Sequence, residues 1–137
     1  MKLILLIPLL YFGFYSQNIQ KTEVVHLKFT IDNNLDKKYY DSQGSVNFII
    51  SNEHFISMGK GLKISSSQIN EINFQSITDI TKMENDLRQK YIDEGEKKGI
   101  IKIISKDDIF NKIYVYEKEN STKWCRYLVK WIDEIKN

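Results

Sequence analysis

Residues 22–32 alternate along the chain, with Val25, Leu27, Phe29 and Ile31 on one side and Val24, His26, Lys28, Thr30 and Asp32 on the other. A period of two is the pattern of a half-buried strand. Residues 45–51 and 54–58 read the same way across an Asn52-Glu53 turn, and 62–64 resume the pattern after Gly59-Lys60-Gly61 breaks it. Residues 33–44 are polar and rich in turn formers, which predicts a surface loop. Residues 65–68 also read as loop, and 69–74 as a short strand or an extended lead-in.

From Ser76 the period becomes about 3.6, because Ile77, Ile80, Met83, Leu87 and Tyr91 recur at steps of three and four. This predicts one main amphipathic helix over about 77–97. Ser76 stands as its N-cap with Asp79 in a capping-box position, and Gly99 follows Lys97-Lys98 as its stop. Beyond it, 100–104 and 113–118 read as strands, 105–112 as a turn region and 119–122 as a hairpin loop. The segment from Lys123 fits both periods. As a strand it aligns Cys125, Tyr127, Val129 and Trp131; as a helix it clusters Trp124, Leu128, Trp131, Ile132 and Ile135. Its aromatic and β-branched content and the turn before it favour a strand to about Ile132. Strands, one helix and strands again predict an α+β fold, an antiparallel sheet of about five or six strands packed with that helix.

The N-terminus breaks from this patterning. Lys2 precedes an uncharged run over residues 3–14, and Gln17-Asn18 turn the chain polar again. The run is well short of the ~20 apolar residues that cross a bilayer as a helix. Residues 1–16 therefore read as a secretory signal peptide, with no transmembrane span in the mature form. Residues 17–137 are expected as a single domain, exported to a periplasm or out of the cell.

Composition narrows the picture further. With 42% hydrophobic and 28% charged residues the chain is neither disordered nor fibrous, and Cys125, its one cysteine, rules out an internal disulfide framework. A net charge of +2 argues against a nucleic-acid partner. There is no alanine, and abundant Ile in its place favours sheet.

No catalytic, cofactor or metal site is assigned. The two histidines, His26 and His54, have no pattern that sets either beside Cys125 or a serine, and no Gly-x-Ser-x-Gly turn is present. Cys125 reads as a buried small hydrophobe. The acidic groups at 93–96 and 107–108 lack calcium-loop spacing, and Gly59-Lys60-Gly61 is a turn with no phosphate-loop pattern. The lysines at 97, 98, 102, 106 and 112 read as a solvated face.

One surface stands out. If Ile113, Val115, Tyr127, Val129 and Trp131 face the core, then Tyr114, Tyr116, Trp124, Arg126 and Lys130 share the opposite face of two adjacent strands. Aromatics and cations of this kind anchor interfaces. The competing arrangement has a helix covering that face, which makes the aromatics core. The expectation is a small exported non-catalytic binding protein whose partner is a protein or envelope component. The alternatives are a small envelope or extracellular hydrolase using carboxylates from separate elements, or an inhibitor or immunity-type protein.

Overall fold

The computed structural model describes residues 23–31, 35–100 and 104–133. The segment 1–16 lies outside them. So do residues 101–103 of the strand expected at 100–104, whose flanking Ile100 and Ile104 are not in a strand. In chain order the elements are β1 (Val24–Phe29), β2 (Lys37–Tyr40), β3 (Val46–Ile50), β4 (Glu53–Ser57), β5 (Leu62–Ser65), α1 (Ser66–Ile69), α2 (Ile77–Lys97), a 3₁₀ turn (Lys106–Asp108), β6 (Lys112–Lys118) and β7 (Lys123–Ile132).

The ambiguous C-terminal segment is a strand, and it forms the centre of the sheet. The strand order is β1-β6-β7-β4-β3-β2, and β5 pairs β7 beside β4. β6 runs along one edge of β7 from Ile113 opposite Val129 to Lys118 opposite Trp124. The other edge is shared, with β5 opposite Lys123–Arg126 and β4 opposite Val129–Ile132.

Three expectations need correction. The sheet is mixed and has seven strands, because β1 pairs β6 in parallel while the remaining pairs are antiparallel. Side chains alternate identically in parallel and antiparallel pairs, so the local pattern of β1 carries no direction. β2 lies within the stretch expected as loop. Its core-side positions are Lys38 and Tyr40; Tyr40 is exposed, and the Lys38 ammonium donates to Glu117 on β6 at 2.6 Å. Burial alone would lower Lys38, but the bond to Glu117 and its charge outweigh that and hold it above its ordinary value. α1 also falls where loop was expected, and it starts on a capping box in which the Ser65 N–H donates to the Gln68 side chain at 3.1 Å.

One face of the sheet, the core face, carries Val25, Leu27, Phe29, Phe48, Phe55, Val115 and Trp131, all nearly fully buried. α2 covers this face with the predicted stripe, Ile80 being buried and Ile77, Met83 and Leu87 packed around it. Its N-terminus has the expected reciprocal cap, with Asp79 N–H to Ser76 Oγ and Ser76 N–H to Asp79 Oδ2, each at 3.0 Å. Trp131 stacks with Phe55 and Phe110, and its indole N–H donates to Glu53 at 2.9 Å. Lys106 also donates to Glu53, at 3.1 Å.

The break at Gly59-Lys60-Gly61 carries the chain from β4 to β5 along one edge of β7. A Cβ at Gly61 would overlap the Cys125 sulfur and come within 2.8 Å of the Tyr127 ring. Gly61→Ala is expected to cost about 1–3 kcal/mol in urea unfolding, the usual scale of overpacking. Adding Cys125→Ala should recover part of that loss, and no recovery would show that the two sites do not meet.

Candidate binding face

Strand register assigns the opposite, outer face of the sheet. His26 stands beside Tyr114 and Lys28 beside Tyr116, while Tyr116 lies opposite Arg126 and Tyr114 opposite Leu128. The five residues singled out from the sequence, Tyr114, Tyr116, Trp124, Arg126 and Lys130, do share this face, since Lys118 opposite Trp124 and Ile56 opposite Lys130 continue it.

They do not form one open platform. Tyr116 is 1% and Trp124 6% exposed, beneath a strap made of α1 and the residues after it. Ile69, Ile72 and Phe74 pack on them as a second, smaller core. Phe74 meets Tyr116 edge-on at 5.2 Å, and the Lys28 ammonium sits 5.4 Å from the Phe74 ring and 5.2 Å from Trp124. The strap is tied to β1 through Gln75, whose N–H donates to the His26 carbonyl at 2.9 Å and whose side-chain oxygen accepts from the His26 N–H at 2.8 Å. The main helix thus leaves this face alone, and a short local segment covers half of it. Tyr114 and Arg126 are half-buried beside the strap, and Leu128 and Lys130 are exposed.

A chain of planar groups crosses three strands here. The His26 ring stacks on Tyr114 at 5.8 Å and 14°, and the Arg126 guanidinium lies 4.7 Å over the same ring. His26 reaches Tyr114 from β1 and Arg126 from β7, on either side of β6. Arg126 also stands near the Tyr116 hydroxyl, whose ionised form it favours. The same hydroxyl is hydrogen-bonded to His26 Nδ1 at 2.8 Å. Burial, and then the Arg126 charge, hold His26 below the ordinary imidazole value. Burial raises Tyr116 and outweighs the lowering effect of Arg126.

Sequence reasoning identified the hairpin residues and missed their neighbours. The alternation of β1 does put His26 and Lys28 outward, but only the pairing of β1 with β6 brings them to Tyr114. Further along the same face His54 Nε2–H donates to the buried Asn47 at 2.7 Å, and Asn47 donates in turn to Asp41 at 3.2 Å.

The chemistry of other sites is limited by register. Cys125 lies opposite Lys63 and Glu117 on the core face, across the sheet from both histidines, so neither imidazole can activate it. Among the described residues no group of three or more His, Cys, Asp or Glu converges for a metal. A groove along α2, lined in part by Lys82 and Asp86, contains one carboxylate, and another at Ser57, Gly59, Gly61 and Tyr127 contains none. Asp41 and Asp79 are held below the carboxylate range, by the Ser45 and the Ser76 backbone N–H respectively, which is the behaviour of turn and cap groups. A general acid requires the opposite shift.

The lowered value of His26 has a pH consequence. Its folded value is lowered, so the unfolded chain binds the proton more readily. Its contribution to stability is complete above the unfolded value of about 6.5 and is lost as pH falls through the folded one. Thermal melts are expected to show a midpoint that falls from pH 7 to pH 5, with a shallower fall in His26→Gln. A midpoint equally steep in the variant would remove this role.

Comparison with known proteins yields no relative: no family model, no curated protein and no solved structure matches this chain.

Proposed function

We propose that this is a small exported protein that acts by binding, without catalysis, through the outer face of its sheet. The observation that carries the reading is the half of that face left open beside the strap. There Leu128 is 37% exposed between Arg126 and Lys130, and Leu62, opposite Arg126, is 55% exposed. Tyr114 and Arg126 are already ordered by stacking, so a partner meets a patch whose rotamers cost little to fix on binding. Half-buried Arg and Tyr beside exposed aliphatic side chains are the composition of an interface centre. The partner is a protein or an envelope component.

A photo-crosslinking side chain at position 128 is expected to trap an adduct in an envelope extract of the producing cell, with an Arg126→Ala background abolishing it. The same probe at Lys82, on α2, serves as the control. Equal adducts at both positions, or none at 128, would reject the assignment of the face.

Export rests on the pattern of residues 1–16. Fractionation of the producing cell should recover the protein outside the cytoplasm, with a new N-terminus near Gln17. Intact Met1 on cytoplasmic protein would refute it.

A further inference from the structure

The strands sort their charges by face. By register, Lys28, Lys37, Lys112, Lys118, Arg126 and Lys130 all occupy outer-face positions. No strand contributes an Asp or Glu to that face, because the strand acids Glu53 and Glu117 both point to the core side, where they meet Lys106 and Lys38. The acids near the outer face are few: Glu71 belongs to the strap over Tyr116 and Trp124, and at the rim Asp107 is 3.9 Å from Lys130 and Asp41 accepts from Asn47. α2, which carries Asp79, Glu84, Asp86, Asp93, Glu94 and Glu96, lies on the other side of the sheet. A nearly neutral chain is therefore cationic on one face.

Arg126 is the centre of that field. Its guanidinium is half-buried and stacked on Tyr114, and among the described residues it has no carboxylate partner within salt-bridge distance, whereas the only other arginine, Arg88, is paired with Glu84 at 2.9 Å. A planar fork held in place without a counter-ion is suited to a carboxylate. Apolar groups alternate with the cations: Leu128 separates Arg126 from Lys130 along one strand face, at about 6.6–6.8 Å per two residues. This is the spacing of side chains on a protein segment.

We propose that the outer face docks an acidic protein segment carrying apolar side chains, with Arg126 receiving one of its carboxylates and Leu62 and Leu128 its aliphatic groups. The proposal rests on the binding reading above and adds the chemistry of the partner. Single-stranded nucleic acid, the other ligand of basic and aromatic sheet faces, needs free ring faces for its bases. Here the Tyr114 ring already packs against His26 and Arg126, and Tyr116 and Trp124 lie under the strap.

The two arginines make a direct test by proton–nitrogen NMR, since the Arg126 side-chain N–H reports the site and that of Arg88 is an internal control. The whole chain is titrated with a short peptide of Glu and Leu, with Gln/Leu and Glu/Ser peptides of equal length, with oligothymidylate and with phosphatidylglycerol vesicles. The expected result is that the Glu/Leu peptide shifts Arg126 and not Arg88, and that it binds at least about tenfold more tightly than every other probe. Arg126→Gln should lose about tenfold in affinity, the scale of one charged hydrogen bond. Tighter binding of the oligonucleotide or the vesicles would overturn the proposal, as would equal binding of the Glu/Leu and Gln/Leu peptides. Because the crosslink at position 128 is scored separately, a positive crosslink with equal peptides would retain the face and reject the acid.

Discussion

Both edges of β7 are hydrogen-bonded, and the remaining architecture follows from that constraint. With β6 on one side and β4 and β5 in succession on the other, its ten residues are fixed in extended geometry and their side chains must alternate. Cys125, Tyr127, Val129 and Trp131 enter the core, and Trp124, Arg126, Leu128 and Lys130 go to the outer face. A slip of one residue would bury Lys130 and expose Trp131. Burial of a large apolar side chain contributes roughly 1.5–3 kcal/mol, so four of them on one strand hold the register firmly. The same register then sets the position of Arg126 against Tyr114.

The distribution of charge is a second consequence of the two faces. A cation on the outer face remains hydrated and needs no partner, whereas one on the core face must be compensated. The inward ions are accordingly paired across distant elements: Lys38 of β2 with Glu117 of β6, and Lys106 of the 3₁₀ turn with Glu53 of β4. These pairs draw the strand acids to the core side and leave the outer face without them. The strap over Tyr116 and Trp124 meets a related need. The aromatic rings on the outer face of β6 and β7 would otherwise expose a large apolar area, and Ile69, Ile72 and Phe74 cover most of it while leaving Leu128 and the edge of Tyr114 open.

Legibility in the sequence followed the strength of the local pattern. The α2 stripe and its Ser76–Asp79 cap, the alternation of β1, β3, β4 and β6, and the partition of the hairpin residues between two faces are all periodic features, and the structure has them. β2 escaped because its core-side residues are a lysine and an exposed tyrosine, and α1 because its four residues are too few to show a helical period. Of the candidate face, the five hairpin residues were readable. Their partners His26, Lys28 and Phe74 were not, since each comes from a segment distant in the chain.

By itself, then, the sequence determined the α+β class, the main helix and which residues of each strand share a face, because periodicity is a property of neighbouring residues. Tertiary structure alone decided that β1 joins β6 in parallel, that α2 covers one face and a short strap half of the other, and that Arg126 lies over Tyr114 with no carboxylate partner among the described residues. The physical reason is that pairing direction, layer assignment and the compensation of charge depend on contacts between residues far apart in the chain. A net charge of +2 averages over both faces of the sheet, and only the fold separates them.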